Sequence, residues 1–154
     1  MTDPLRTNDE RKEYAQLRLG PVGDLGDVLA DFEDGSISVF GGIEEELVKA
    51  RIYRYRRRRQ DMTSAIVVEV IEPSPFRVEP PCPYFGMCSG CQWQHISYPH
   101  QLDLKKRILS DKFRKFDSLG GVDVLSTCPA PDEFFYRNHA RFTVRFGGQL
   151  GFSN

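Results

Sequence analysis

The chain reads as a small β-barrel that gives way, near its middle, to the start of an α+β domain. Short β-branched runs separated by turn residues fill the region from Leu17 to Ile71, with no helix long enough to cover an open sheet. Four of the ten prolines then fall in Glu72-Pro-Ser-Pro-Phe and Glu79-Pro-Pro-Cys82, marking an extended linker. Helical periodicity begins only beyond it. Strands this short avoid exposed edges by curling on themselves, which predicts an OB-like or SH3-like barrel over residues 14–73.

Residues 1–13 carry no apolar period and are expected to form a flexible tail. Gly20-Pro-Val-Gly23-Asp-Leu-Gly26 reads as a turn opening the barrel, because its spacing is not that of a dinucleotide loop. Asp27–Phe32 and Ser36–Phe40 form a hairpin around Glu33-Asp34-Gly35, where Asp-Gly is expected to supply the positive φ. Ile43–Glu46 is a single turn. Leu47–Tyr55 and Thr63–Ile71 are two further strands, the second rich in Val and Ile, and an arginine-rich loop joins them.

Residues 74–97 hold the linker and a cysteine loop, and residues 98–154 an incomplete α+β unit. A helix is expected from His100 to Phe116, where Leu102, Leu104, Ile108, Leu109 and Phe113 recur at helical spacing and Gly120-Gly121 follows. Val122–Leu125 and Arg137–Arg145 read as strands. The second turns at Gly147-Gly148 into a return arm of only a few residues. That mismatch predicts a chain cut from a longer protein.

With 154 residues, 40% apolar and 28% charged, the composition is globular and excludes a disordered chain. The net charge of −1 hides a division. Residues 1–50 contain 12 acids and 5 bases, and residues 51–154 contain 10 acids and 16 bases. A uniformly basic nucleic-acid coat is excluded, but a basic second part is not. No apolar run approaches the length of a membrane span, and the polar N-terminus lacks a signal-peptide core, so no membrane partner is expected and the cytoplasm is the default.

Two features carry chemistry. Cys82, Cys88 and Cys91 are spaced C-x5-C-x2-C, close enough for one loop to wrap a single soft centre, while Gly86 and Gly90 free backbone N–H groups to point at sulfur. An iron–sulfur cluster needs a fourth ligand from elsewhere; a zinc site is complete if His95 joins as Cys3His, which would make a free-standing RNA-binding finger. An electron-transfer module is a third possibility. Thioredoxin-type chemistry is excluded by the lack of a βαβ context around Cys88-x-x-Cys91.

The second feature is Arg51-Ile-Tyr-Arg54-Tyr-Arg56-Arg57-Arg58-Arg59. Arg54, Arg56, Arg57, Arg58 and Arg59 are the candidate RNA-binding residues, with tyrosines able to stack on bases. The plainer reading pairs this run with the acidic residues 24–46. RNA is favoured over DNA because barrels with aromatic and arginine faces suit irregular single strands. No nucleophile–base pair and no site for S-adenosylmethionine is evident, so no catalytic residue is assigned.

Cys82-Pro-Tyr-Phe-Gly-Met-Cys88-Ser-Gly-Cys91-Gln-Trp-Gln-His95, then Gln101-Leu-x-x-Lys105 and Tyr136-Arg-Asn138, resembles the iron–sulfur RNA uracil-5-methyltransferases. Residues 14–73 resemble the TRAM domain, an RNA-binding β-barrel that precedes such enzymes. The resemblance implies a [4Fe-4S] cluster held partly by Cys82, Cys88 and Cys91, an RNA substrate (ribosomal rather than transfer RNA), and S-adenosylmethionine as methyl donor of the full-length enzyme. It makes His95 a loop residue beside the cluster and leaves Cys128 unmatched, a fourth ligand only by coincidence. The chain departs from the pattern at Ile43-Glu44-Glu45-Glu46, where a P-G-E is common, and at Ser89, where the family has Gly. The resemblance finds no counterpart of the family's C-terminal methyltransferase domain, which is expected to be absent from this chain. The chain is therefore expected to be a monomeric RNA-binding portion, inactive alone.

Overall fold

The computed structural model describes residues 13–152 apart from Arg58 and Ser89, so residues 1–12 of the flexible tail expected over residues 1–13, and the candidate Arg58, lie outside the described residues. Five strands come first: β1 (Tyr14–Arg18), β2 (Val28–Phe32), β3 (Gly35–Phe40), β4 (Leu47–Arg57) and β5 (Gln60–Glu72). They form one curled sheet, a half-barrel, in the order β1-β4-β5-β3-β2. All pairings are antiparallel except β3 with β5. The chain leaving β1 reaches the opposite edge, where the Gly20 amide donates to Leu29 O (2.7 Å) and the Leu29 amide to Pro21 O (2.9 Å).

Alternation explains the core. Leu17 of β1, Val28 and Ala30 of β2, Ile37 and Val39 of β3, Val48, Ala50 and Ile52 of β4, and Ala65 of β5 all turn inward and are buried. Their neighbours in sequence are polar or half-exposed, so a register shift by one residue would place charges inside the sheet. Past Ile52 the inward row of β4 becomes Arg54 and Arg56, and the β4–β5 pair continues beyond the core as a two-stranded ribbon.

Three sequence expectations need correction here. The arginine-rich run is not a loop: Arg54, Arg56 and Arg57 lie in β4, paired with Thr63, Asp61 and Gln60 of β5. Facing carboxylates relieve the mutual repulsion of the arginines along the strand. In the β2–β3 hairpin the positive φ falls on Glu33 (52°) rather than on Gly35, which already belongs to β3 opposite Phe32. Finally, Arg137–Arg145 is not a nine-residue strand, and Val122–Leu125 is not a strand. Only β6 (Thr143–Arg145) forms, against β7 (Gln149–Gly151). A strand needs a partner for its backbone groups, and three return residues pair three.

One helix, α1 (Tyr98–Arg114), follows the cysteine loop, beginning two residues before the expected His100 with Pro99 in its first turn. Lys112 and Arg114 complement its C-terminal dipole. It is not long and apolar enough to cross a membrane. Leu104 from this helix packs with Ile96, Ile43, Val22 and Trp93 in a second small core beside the barrel. The charge division reappears as docking contacts: Arg107 pairs with Glu44, and Lys115 with Asp24 (3.2 Å).

The proline segment is no free linker. Arg77 donates from Nε to Glu46 Oε1 (2.6 Å) and from Nη2 to Glu46 Oε2 (2.7 Å) and to Gly41 O (2.9 Å). The fully buried Glu46 also accepts the Ile43 amide (2.9 Å) and the Ser74 amide (3.1 Å). Burial alone would raise the Glu46 pKa, but the Arg77 hydrogen bonds and the two amides outweigh it and hold it below the usual carboxylate range. A depressed folded-state pKa gives stability that is present above the unfolded carboxylate value and lost as pH falls through the folded one. Glu46→Gln is expected to lower the unfolding free energy by about 3–5 kcal/mol in urea titrations near neutral pH. Its stability should also fall less steeply than the wild type's on acidification below about pH 4.5.

Candidate functional site

The cysteine loop leaves and returns through a narrow neck. The Val78 amide donates to His95 O (3.0 Å), the Ser97 amide to Phe76 O (2.9 Å), and Arg77 bridges Ile96. Residues 79–94 are thus an excursion stapled at its base. Three side chains then fasten the loop and its neck to barrel turns through glycine carbonyls. Trp93 Nε1 donates to Gly26 O (2.7 Å), His95 Nε2 lies 3.1 Å from Gly42 O, and Arg77 reaches Gly41 O. Gln101 of α1 donates its amide to Trp93 O (3.1 Å) and Ile96 O (2.8 Å), which holds the loop's exit onto the helix.

His95 is 1% exposed, and burial first, then the charge on Arg77, lowers its pKa against the opposing influences of Gly42 O and Glu46. Burial thus favours its neutral form. A carbonyl only accepts, so Nε2 carries the proton and Nδ1 is left with a lone pair and no partner among the described residues. Its ring lies 5.2 Å from that of Phe85, between Cys82 and Cys88 in the loop.

Within the loop the Phe85 amide donates to Cys82 O (3.1 Å) and the Cys88 amide to Tyr84 O (2.9 Å), with Gly86 at φ 85° between them. The Gly90 amide points at Cys88 Sγ (3.4 Å), the N–H···S contact expected of a glycine beside a metal-binding thiolate. Cys82, Cys88, Cys91 and Cys128 are all free thiols, the first two half-buried and the others exposed. Three thiols with such a donor set suit a soft, thiophilic centre. Among the described residues no three Cys, His, Asp or Glu side chains are gathered around one point, so holding a metal centre requires this loop to close further. Cys128 lies beyond α1, in a segment tied down by Thr127 Oγ1 to Leu102 O (2.9 Å) and by the Ala130 amide to Tyr98 Oη (2.7 Å).

The arginine run divides by face. Arg54 is committed to carboxylates: it meets Glu33 at 2.7 Å and Glu13 at 3.2 Å, and its guanidinium lies 5.7 Å from the Phe32 ring centre. These contacts raise the Arg54 pKa and lower that of Glu33. Arg56 faces Asp61 loosely at 3.9 Å, while Arg57 and Arg59 are exposed near the ribbon tip. Arg59 takes φ 68° in the turn, a conformation that ordinarily favours glycine.

Glu46, Arg77, Trp93 and Gln101 were not singled out as functional residues by sequence reasoning. For Gln101 and Trp93 the signal was present in the quoted motif residues. For Glu46, one of three consecutive glutamates, no local pattern marks the buried one.

Over most of its length the chain is similar in sequence to proteins named RNA methyltransferases. It is 32% identical to an uncharacterized RNA methyltransferase of Geobacter sulfurreducens over 89% of this chain and 30% of that protein. It is 33% identical to the 23S rRNA (uracil(1939)-C(5))-methyltransferase RlmD of Alkalilimnicola ehrlichii, over 87% of this chain and 29% of the relative. An uncharacterized RNA methyltransferase of Chlorobaculum tepidum is 41% identical over 62% of the chain and 19% of its own length. The chain therefore spans less than a third of the relatives it matches. No family model matches it.

Gly26 tests how the loop is seated. It has φ 81°, and a Cβ there would lie 2.9 Å from Trp93 Cζ2. Gly26→Ala should displace Trp93 and cost about 1–3 kcal/mol. A red shift in the emission of Trp93, the one tryptophan, together with a lowered Tm would report it. Gly35→Ala, where a Cβ meets nothing within 4 Å, should leave that emission unchanged.

Proposed function

We propose that the chain is the RNA-recognition portion of an S-adenosylmethionine-dependent RNA uracil-5-methyltransferase acting on ribosomal RNA. In this reading Cys82, Cys88 and Cys91 hold a [4Fe-4S] cluster and the half-barrel is a TRAM-type, OB-like module. The observation that carries the proposal is the set of three free thiols in C-x5-C-x2-C spacing, on a loop stapled to the barrel. The homology to a 23S rRNA uracil-C5 methyltransferase over 87% of the chain supports the RNA substrate.

Each part has its own task. A bound cluster would supply metal–thiolate bonds that fix the loop's shape. Arg77, Trp93, His95 and Gln101 transmit that shape to the barrel and to α1 through the hydrogen bonds described above. Arg56, Arg57, Arg58 and Arg59 would contact phosphates, whereas Arg54 is spent on Glu13 and Glu33. In this reading the task of these 154 residues is recognition, and they supply neither the methyl donor's site nor the catalytic thiolate.

Anaerobic purification followed by iron, sulfide and zinc analysis tests the metal assignment. About four irons and four sulfides per chain are expected for a [4Fe-4S] cluster, with loss of both in Cys88→Ser and faster amide exchange across residues 75–97. One zinc with no iron, lost in His95→Ala, would replace the cluster by a Cys3His finger using the free Nδ1.

A further inference from the structure

The β4–β5 ribbon sorts its charges by face. On the face that continues the barrel interior lie Arg54 and Arg56, each opposite a carboxylate from Glu13, Glu33 or Asp61. The other face carries Arg51, Tyr53, Tyr55 and Arg57 along β4, opposite Ile66, Ser64, Met62 and Gln60 of β5. No carboxylate belongs to those four cross-strand pairs. Tyr14 of β1 pairs with Arg51, and Phe40 of β3 pairs with Ile66, which widens the same face across four strands.

The aromatic rings here are not core. Tyr14, Tyr55 and Phe40 are 42–46% exposed, and no element among the described residues covers them. Cations sit against them: Arg51 lies 4.8 Å from the Tyr53 ring centre and Lys49 lies 5.6 Å from that of Tyr14. Tyr53 and Tyr55 stand about 7 Å apart along one face of a strand. Glu69 stands opposite Lys49 at one end of this face, but the row from Arg51 to Arg57 holds no acid, and such a row of aromatics and cations attracts a polyanion that also offers flat rings, which is a single-stranded nucleic acid. A duplex offers phosphates but keeps its bases stacked inside, so the tyrosines would gain nothing from it.

We propose that this outer face, centred on Tyr53 and Tyr55 and flanked by Tyr14, Arg51 and Arg57, is a stacking platform for unpaired bases of an RNA strand. The inference rests on the RNA-binding reading above and moves its centre from the arginine cluster to the tyrosines between the arginines. The ribbon tip then supplies phosphate contacts, and the flat of the ribbon takes the bases.

The test uses the full chain and two fluorescein-labelled probes, a 12-nucleotide oligouridylate and a 12-base-pair RNA duplex, in fluorescence anisotropy titrations at fixed salt. Expected is preference for the single strand, with Tyr53→Ala and Tyr55→Ala each raising its Kd about 10-fold. Tyr55→Phe, which keeps the ring, should bind within about 2-fold of wild type, and circular dichroism should show each variant folded. Salt dependence should stay unchanged in the tyrosine variants and flatten in Arg57→Gln. Equal binding of the duplex, or an unaltered Kd in the folded tyrosine variants while Arg57→Gln and Arg59→Gln bind weakly, would overturn the platform and leave the RNA reading standing. Failure of the wild type to bind either probe would overturn both.

Discussion

The structure turns on one buried carboxylate. Glu46 has no solvent exposure, yet it is charged, and four donors converge on its two oxygens: two from Arg77 and the amides of Ile43 and Ser74. A charge this deep is tolerated only when every lone pair is engaged. That requirement fixes the turn before β4, the chain after β5 and the neck of the cysteine loop relative to one another. Remove any one donor and the others face an ion they cannot satisfy. The clasp thus turns a proline-rich connection, which composition alone reads as a spacer, into part of the barrel wall.

Electrostatics also explains why a nearly neutral chain has two halves of opposite sign. Several acids of the first third are counterparts for later cations: Glu44 for Arg107, Asp24 for Lys115, Glu46 for Arg77 and Glu33 for Arg54. Exposed pairs of this kind contribute little to stability, but they disfavour other ways of laying the helix on the barrel. What the pairs leave unmatched on the ribbon is a cationic face with tyrosines set among the arginines.

How far the sequence discloses this depends on the range of the interaction concerned. Strands β2 to β5 were readable because alternation of Val28, Ala30, Ile37, Val39, Val48, Ala50 and Ile52 records burial directly. Helix α1 was readable from its period, within two residues at its start. The loop glycine aimed at sulfur was readable too, since Gly90 follows Cys88 by two residues. The carboxylate partners of Arg54 are not legible because they lie 21 and 41 positions away, and a run of arginines looks the same whether or not carboxylates face it. The stretch Arg137–Arg145 shows the opposite error: its alternation is real, but a pattern cannot supply the partner strand that would make it a sheet.

Three barrel carbonyls, those of Gly26, Gly41 and Gly42, receive the indole, guanidinium and imidazole that seat the cysteine loop. A carbonyl belongs to the main chain, and no codon change deletes it. The receiving side of this joint is therefore shielded from direct loss by side-chain substitution, while its donor side rests on three particular residues. Wear in the joint over evolutionary time should be lopsided: donors exchanged for other donors, and each glycine retained for its own reason, Gly26 because a methyl group would press on the Trp93 ring, Gly42 because one would strike Leu19, and Gly41 for its positive φ.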